Sequence, residues 1–551
     1  MNRRPQGSLW ARCIASLCWI GLLALGCGSE PAAIEPAKAT IEPRHGGTMV
    51  VAAGADIGGV NELLSSTSSF TQSVLHLMFL HLFEEQPDFD QHPPTFKPQL
   101  VQSWDWSADG KTLTLHLRQD VVWSHGEPVT AADVEWSWRA QTHPELAWDG
   151  ADAKENIATV EALDEHTVRV TYLRRNITQL SDLNYGVILP SSVWSQLPFS
   201  DWRENADWFL ENLVTNGPFE LESWDRQQQI ALRRNDSYHV PDRPLLDAVV
   251  FRIVPQKVNQ VGHLLSGDVH FVDHIPAADA ERIEASADLQ LRPYWARQYN
   301  FICWNTARPL LKDVATRQAL TMAIDRQALV EALWFGHARI ASSPIISSVW
   351  AHNSDIEPWP YDPERALEIL RQEGWQDSDD DGYLDRAGKP FTFELITNSG
   401  SAVRVDAVVM IQEQLRRVGI RAEVRRLEFN TLVTRSLAHE FDAMLGGWNI
   451  DTSLDLDYAF HSDSIDGGNN LGRFSDPAVD QLLDRVRDQT DATERAALLA
   501  EIQVLLHELQ PYAFLWESQR LTGTSVRLRE ARPNALDPFF HLENWWLEPA
   551  R

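Results

Sequence analysis

An acidic stretch from Asp377 to Asp385 concentrates side chains that could hold a metal ion. Aspartates stand at its first, third, fourth, fifth and ninth positions and Gly382 at its sixth, the spacing of the first half of a calcium-binding loop. Such loops close with a bidentate acid at the twelfth position, where this chain has Gly388. We therefore predict an acidic turn between a helix and a strand, with a weak calcium site as the alternative, and assign no metal.

Sequence motifs for catalysis are missing. The chain contains no His-Glu-x-x-His and no Gly-x-Ser-x-Gly, and the stretch from Gly382 to Gly388 has the wrong spacing for a phosphate-binding loop. Two catalytic carboxylates need no motif, so a secreted glycoside hydrolase stays as a rival class. We predict a protein that is not an enzyme and that uses no cofactor.

The amino terminus has the pattern of an export signal. Arginines precede an apolar run from Cys13 to Gly26, which is too short to span a bilayer permanently. The end of the run, Leu23–Cys27, resembles the lipobox of bacterial lipoproteins, with Cys27 as the lipid acceptor, although Ala24 stands where that motif usually has leucine. An ordinary signal peptide is the alternative, and either interpretation places the mature chain outside the cytoplasm.

The net charge and the cysteine content narrow the class of protein further. The formal net charge is -30, which makes nucleic acid a poor partner. No later segment approaches the ~20 consecutive apolar residues of a spanning helix, so we expect membrane contact through the lipid anchor only. With Cys13 and Cys18 in the signal and Cys27 lipidated, Cys303 remains alone, and we predict a buried, unreactive thiol.

Short-range sequence patterns predict both helices and strands. The stretch after Gly47 reads as a buried strand, and apolar residues from Phe70 to Phe83 have helical spacing. Polar and apolar residues alternate from Lys111 to Leu117, as in a half-buried strand. Thr130 followed by Asp133 is typical of a capping box at a helix start.

Short blocks of residues follow one another in a fixed order along the chain. They are Leu100–Trp104, Asp109–Thr112, Leu117–Arg118, Gly126–Val134, Asn216–Phe219, Arg234–Tyr238, Ser266–Asp268, Asp313–Arg326, Tyr361–Ala366, Gly374–Trp375, Asn470–Phe474, Asp476–Asp480 and Pro511–Tyr512. This ordered series resembles the family 5 extracellular solute-binding proteins of peptide and nickel importers. The resemblance covers nearly everything after Gly46. Several blocks have structural explanations, since Asp313 and Asp325 stand where helices would start and Gly217 and Asn235 where turns would form.

This resemblance implies an α/β fold of two lobes with a cleft between them, mixed sheets flanked by helices, and an extra domain. The boundaries that we predict are a signal peptide (1–26), a flexible lipid-attached tether (27–45), the first lobe (46–84, 206–299 and 518–551), the extra domain (85–205) and the second lobe (300–517).

The resemblance also implies ligand-binding residues. A peptide-binding cleft needs a carboxylate for the ligand's ammonium group. In peptide-binding relatives this carboxylate follows a tryptophan by three residues, and Trp448, Asn449 and Asp451 match that arrangement. The proline that relatives commonly carry a few places on is absent here. A solvated turn acid is the alternative for Asp451.

For the ligand's carboxylate we predict Arg404, with Asn398 as its companion. Both lie at a polar junction between a strand and a helix, where a helix amino terminus and a guanidinium favour an anion. A solvated arginine on a surface helix is the alternative.

The function implied is a lipid-anchored, extracytoplasmic, monomeric binding protein that delivers short peptides to the permease and nucleotide-binding subunits of an ATP-driven importer. The chain has 22 tryptophans, whose rings also stack on sugars, so an oligosaccharide or another small solute is the alternative ligand. Most of these rings should be core, among them Trp104, Trp136, Trp138 and Trp375. A sensing or scaffold lipoprotein on the same fold is a further alternative.

Overall fold

The computed structural model describes residues 42–65 and 68–549. The predicted signal peptide, the lipid acceptor Cys27 and most of the predicted tether lie outside these residues. Within the described part of the chain, no helix combines the length and the apolar character needed to cross a bilayer.

The described strands are β1 (Thr48–Ala53), β2 (Phe83–Glu85), β3 (Phe96–Pro98), β4 (Val101–Trp106), β5 (Thr112–Leu117), β6 (Ile157–Asp164), β7 (Thr167–Tyr172), β8 (Phe219–Asp225), β9 (Gln229–Arg234), β10 (Ala248–Ile253), β11 (Phe271–Val272), β12 (Leu289–Trp304), β13 (Ala338–Ile340), β14 (Asp385–Arg386), β15 (Lys389–Pro390), β16 (Thr392–Asn398), β17 (Arg421–Leu427), β18 (Ala443–Asn449), β19 (Tyr512–Ser525), β20 (Leu528–Arg529) and β21 (Trp546–Leu547).

The described α-helices are α1 (Ser69–Met78), α2 (Ala131–Gln141), α3 (Gln179–Asn184), α4 (Ser191–Trp194), α5 (Trp208–Glu211), α6 (Lys257–Ser266), α7 (Ala280–Glu284), α8 (Val314–Met322), α9 (Arg326–Trp334), α10 (Pro363–Gln372), α11 (Ala402–Arg417), α12 (Phe429–Leu437), α13 (Asp457–Phe460), α14 (Pro477–Asp488) and α15 (Ala492–Leu509). Short 3-10 helices cover Ala151–Lys154, Phe199–Asp201, Ala277–Asp279, Ser462–Ser464 and Leu542–Asn544.

Two long strands join the halves of the main sheet. Its order is β17-β16-β18-β12-β19-β11-β1-β10-β9-β8, with β13 beside β19. Strands β12 and β19 pair antiparallel from Leu289–Ser525 to Cys303–Tyr512, with register shifts along the way. The two long strands therefore run from the half of the sheet that contains β1 into the half that contains β18.

A separate sheet covers the region predicted as an extra domain. Its order is β4-β5-β7-β6, all antiparallel. Alternate side chains of β5 are buried, as the alternation predicts, because one face of the sheet packs on the core and the other meets solvent. The core of this region is continuous with that of the first lobe.

The apolar cores divide along the chain. One core holds residues from Met49 to Phe271 together with Leu528–Leu547. Two others hold residues between Tyr299 and Trp516, with Phe89 as the exception, and a smaller fourth core holds residues between Val254 and Leu289 together with Ala52 and Leu521. The predicted two-lobed fold is confirmed by this architecture and by the structural likeness described below, whereas the exact domain boundaries stay a prediction.

Several local predictions are confirmed. The capping box at Thr130 and Asp133 is formed at the start of α2. Asp313 and Asp325 are the residues that precede α8 and α9, and the Asp325 side chain accepts a hydrogen bond from the backbone N–H of Ala328.

The first helix is shorter than predicted. Helix α1 ends at Met78, and Phe83 begins β2, which pairs with β3. The residues between them, including Phe79 and Leu80, are buried although they are not helical. The apolar spacing continued past the helix because the chain keeps running through the core after it leaves the helix.

The aromatic and thiol predictions also agree with the structure. Cys303 is fully buried in β12, and burial raises the pKa of its thiol. Trp375 is buried, and the half-buried rings of Trp104, Trp136 and Trp138 pack against the first core.

Candidate functional site

Two neighbouring cavities lie beside the first lobe, the larger at its junction with the second lobe and the smaller between the first lobe and the predicted extra domain. The larger has a volume of about 430 Å³ and is lined by residues of β1, α1, α6, β12 and β19, with Asn449 and Ile450 from the second lobe. The smaller has a volume of about 330 Å³. Both are in the size range of small-ligand sites. Residues that line both cavities are Gln72, His76, Arg297, Leu536, Asp537 and Phe539.

Strand β18 offers main-chain groups beside the larger cavity. It pairs with β12 along its whole length, from Ala443 to Asn449, but with β16 only from Ala443 to Leu445. Within the described chain, the segment Gly446–Asn449 therefore has a strand neighbour on one side only. Its free edge has the hydrogen-bonding groups that an extended peptide could pair with.

Asp451 lies two residues beyond this strand. It is exposed, and its Oδ1 accepts hydrogen bonds from Ser453 Oγ at 2.7 Å and from the backbone N–H of Leu454 at 2.9 Å. Ile450 before it lines the larger cavity, whereas Asp451 itself lines neither cavity. The carboxylate thus sits at the edge of the cleft with Oδ2 available to a ligand.

Trp448 belongs to an aromatic cluster. Its ring stacks on Phe301 at 6.0 Å and 25° and meets Tyr458 edge-on at 5.3 Å, while its indole N–H donates to the Tyr512 hydroxyl at 3.3 Å. Asn449 is exposed, pairs with Gln298 across the sheet and lines the larger cavity. The two residues therefore face different surroundings, and only Asn449 contributes directly to the cavity wall.

Arg404 and Asn398 lie next to β18 but outside the two cavities. The Nε of Arg404 donates to Asn300 Oδ1 at 3.0 Å, and its guanidinium packs so closely on Gly447 that a Cβ there would collide with it. Burial lowers the pKa of this arginine. Asn398 Oδ1 accepts from the N–H of Gly400 at 2.8 Å, which holds the turn before α11.

A charged group that sequence reasoning missed joins the two cavities. Arg297 lines both, and its Nε donates to the carbonyl of Ala535 at 3.1 Å. Burial lowers its pKa, while Glu85 and Asp451 act in the opposite direction. Burial raises the pKa of Glu85, although its bond from Thr452 at 2.7 Å and the charge of Arg297 counteract this.

A second missed group surrounds Asp273 on the wall of the larger cavity. Its Oδ2 lies 3.3 Å from Nη1 of Arg520 and 3.6 Å from Nε2 of His274. Its Oδ1 accepts from the hydroxyls of Tyr294 and Thr522, each at 3.3 Å. Burial lowers the pKa of His274 to about 4, so this imidazole is neutral at pH 7.

Histidines and acids line the smaller cavity. His541 Nδ1 lies 2.9 Å from Glu543 and its Nε2 lies 3.4 Å from Glu84. Hydrogen bonding to Glu543, and then to Glu84, raises the pKa of His541 to about 10, so it is a cation at neutral pH. Burial raises the pKa of Asp537 to about 7.

The acidic stretch at Asp377 lies on the surface, away from both cavities. Asp377, Asp379 and Asp381 are exposed, and one oxygen from each carboxylate lies within 4.8 Å of the others. Backbone N–H groups of Asp381 and Gly382 donate to Asp377, which stabilises the turn. The turn lies between α10 and β14, as the sequence predicts.

An α/β structure of two lobes with a polar cleft at their junction defines a binding protein of the solute-capturing class. A profile described as bacterial extracellular solute-binding proteins, family 5 Middle, matches residues 95–470. The chain therefore belongs to this family, as the ordered blocks of sequence predicted.

Individual relatives cover nearly the whole chain. The oligopeptide-binding protein AppA of Bacillus subtilis is 28% identical over 526 residues, which is 94% of this chain and 95% of AppA. Heme-binding protein A of Haemophilus influenzae is 26% identical over 471 residues, covering 80% of this chain and 82% of that protein. The structure of B. subtilis AppA in complex with a nonapeptide has a TM-score of 0.78 at 27% identity, covering 92% of this chain and 100% of that structure.

Proposed function

We propose that this protein captures short peptides in its interlobe cleft for an ATP-binding-cassette importer. The observation that carries the proposal is the free edge of Gly446–Asn449, which borders a cavity of about 430 Å³. A peptide added along this edge gains main-chain hydrogen bonds whatever its sequence. The solved AppA relative, which holds a nonapeptide, supports this assignment.

In this proposal Asp451 pairs with the ammonium group of the ligand. Its carboxylate lies beyond the carboxyl end of β18, where the amino end of a peptide paired antiparallel to this strand would lie. Trp448 orients the strand through its ring contacts, and Asn449 contacts the ligand from the cavity wall. Arg404, whose guanidinium packs on Gly447, and Asn398 are the proposed partners of a carboxylate next to the same strand.

The predicted export signal supports the parts of the proposal that concern the location of the protein and its transport partners. Lipidation at Cys27 would hold a monomer at the outer face of a membrane, where lobe closure presents the loaded protein to permease and nucleotide-binding subunits. The cleft would hold its ligand without turnover. Incubation of the purified protein with peptides and oligosaccharides, followed by mass spectrometry, tests this, because cleavage products would contradict it.

Thermal unfolding tests the ligand class directly. A ligand that binds only the folded state adds about 2.7 kcal/mol to the free energy of unfolding at a concentration a hundredfold above its dissociation constant. We expect a rise in melting temperature with peptide pools and none with sugar pools. The heme-binding relative supports one other solute, so heme forms a third arm. A rise with sugars or heme and none with any peptide pool would contradict the peptide assignment.

A further inference from the structure

A hairpin at the border of the predicted extra domain reaches into the second lobe. Strands β2 and β3 pair antiparallel, and the loop between them, residues 86–95, carries Phe89. Phe89 is 6% exposed and belongs to a core whose other buried members lie between Tyr299 and Phe514. The residues that follow it, 90–92, are exposed. The tip of the loop therefore buries one aromatic side chain in the opposite half of the molecule.

The base of the same hairpin belongs to the first core. Phe83 in β2 is buried there, and its ring meets Trp104 edge-on at 4.9 Å and Phe96 of β3 edge-on at 6.1 Å. Among the described residues, Phe89 is the only member of either second-lobe core that precedes Tyr299 in the chain. The hairpin thus joins apolar cores that are otherwise built from different parts of the sequence.

Polar contacts fasten the hairpin to the second lobe at its tip and at its base. The backbone N–H of Trp350 donates to the carbonyl of Phe89 at 2.9 Å. The hydroxyl of Thr452 donates to Oε1 of Glu85 at 2.7 Å, and Thr452 is itself buried. Because Trp350 and Thr452 come from two separate loops of the second lobe, the hairpin is held at two independent points.

Internal hydrogen bonds hold the hairpin loop in its shape. Oδ1 of Asp88 accepts from the backbone N–H of Thr95 at 3.1 Å, and the hydroxyl of Thr95 donates to Oδ2 of Asp88. The backbone N–H of Gln86 donates to the carbonyl of Thr95 at 2.9 Å. Three residues of the loop are prolines, which restrict its backbone further. A loop that is already ordered loses little conformational entropy when its tip docks.

The docked ring lies beside the place where the two long strands lose their register. The guanidinium of Arg297 lies over the ring of Phe89, 5.8 Å from its centroid. Arg297 belongs to the stretch of β12 between Trp295 and Tyr299, where the pairing with β19 shifts. A register shift interrupts the ladder and lets a strand bend. The halves of the main sheet can therefore change their angle here, and the hairpin bridges them at the same place.

We propose that the β2–β3 hairpin is a strap that fastens the extra domain to the second lobe and sets how readily the cleft closes. Phe89 can dock only when the two sides are close together, so its burial stabilises the closed state with or without a ligand. The affinity for a ligand of the cleft then depends on the fraction of molecules in which the strap is docked. Phe89 lines neither cavity, so this dependence is the same for every ligand. Only the affinity part of the inference rests on the proposed function.

Removal of the anchoring ring tests the strap by calorimetry. Phe89→Ala should raise the dissociation constant of a peptide about tenfold or more, the factor that corresponds to the burial of a phenylalanine ring. Two peptides of unrelated sequence should lose the same factor. Phe89→Leu keeps an apolar anchor and should restore most of the affinity. Phe429→Ala is the matched control, since it removes the same ring from an exposed position outside both cavities.

Small-angle X-ray scattering without ligand measures the separation of the lobes independently of affinity. Phe89→Ala should have a larger radius of gyration than the unmodified protein, whereas Phe429→Ala should not. Thr452→Val removes the bond to Glu85 but keeps the apolar anchor, so it should act in the same direction with a smaller effect. Circular dichroism and melting temperatures establish that each variant is folded.

The outcomes separate the strap from the proposed function. A folded Phe89→Ala with unchanged affinity and an unchanged radius of gyration would overturn the strap. Loss factors that differ between the two peptides would overturn it as well, because Phe89 would then contact the ligand. If Phe89→Ala does not fold, unchanged scattering and affinity of Thr452→Val overturn the proposal instead. If no peptide binds, the proposed function fails, and the scattering alone still tests the strap.

Discussion

Replacement of Asp451 by asparagine isolates the charge that we assign to the ligand's ammonium group. Oδ1 of Asp451 accepts from Ser453 and Leu454, and an asparagine oxygen can keep both bonds. The change therefore removes the negative charge from the cleft edge while preserving the turn. Alanine would remove the turn contacts as well and would confuse the two effects.

The exposure of Asp451 determines how much affinity the replacement should cost. Two unit charges 4 Å apart attract by about 1 kcal/mol in bulk water and about 4 kcal/mol at the effective dielectric of a protein surface. Because Asp451 is exposed and lines neither cavity, water screens it until the lobes close. We expect a loss between these limits, roughly 1–3 kcal/mol, which corresponds to a rise of about 5- to 150-fold in the dissociation constant.

Titration calorimetry measures this loss of affinity. The ligand is a peptide that raises the melting temperature, and it is titrated in a free-amine form and in an amino-acetylated form. Asp451→Asn should weaken the free-amine form and change the acetylated form much less. Asp466→Asn is the matched control, since it removes the same charge from an exposed aspartate outside both cavities. The assignment would be refuted if the unmodified protein bound the two forms with equal affinity. It would also be refuted if Asp451→Asn bound the free-amine form as tightly as the unmodified protein does. A large drop in melting temperature without ligand would show that Asp451 holds its turn instead.

Two further predictions concern the fold and its response to pH. A Cβ at Gly472 would lie 2.6 Å from a carbonyl oxygen of β12, so Gly472→Ala should lower the free energy of unfolding by about 1–3 kcal/mol in denaturant titrations. Gly262→Ala, in α6 with open space around it, should instead raise it by about 1 kcal/mol, and similar values for the two variants would contradict the packing. The raised pKa of His541, about 10 beside Glu543 and Glu84, contributes stability that is complete below the unfolded value near 6.5 and is lost as the pH rises through 10. The melting temperature of His541→Gln should therefore fall below that of the unmodified protein most at pH 6.5 and approach it by pH 10, and a constant difference would contradict this.

The local sequence determined those structural elements that depend on interactions between residues only a few positions apart. The capping box at Thr130 and Asp133, the helix starts at Asp313 and Asp325 and the alternation in β5 depend on residue types within one short segment. A short pattern contains all the information that such elements need. The order of the family blocks also predicted the two-lobed fold, because chains that share the same order of elements adopt the same fold.

The end of α1 shows where local patterns stop being sufficient. Apolar residues continue past Met78 because the chain remains in the core, and burial produces the same composition in a helix and in the loop that follows it. The helix ends at Met78, whose carbonyl accepts hydrogen bonds from the backbone N–H groups of Asn216 and Gly217, which are distant in sequence.

The charge distribution of the cleft depends on tertiary structure alone. Lys257 and Arg520 come from a helix and a strand that are distant in sequence, and the charges of Arg297 and Glu85, also distant in sequence, shift each other's pKa. No spacing along the chain relates these residues, because their distances are set by the pairing of β12 with β19 and by the packing of α6 beside them. The sequence by itself determined the class of protein, and it supplied the predictions of an export signal and of an ammonium partner. The tertiary structure decided which charges share a cavity, since electrostatic interaction depends on distance in space and on access to water.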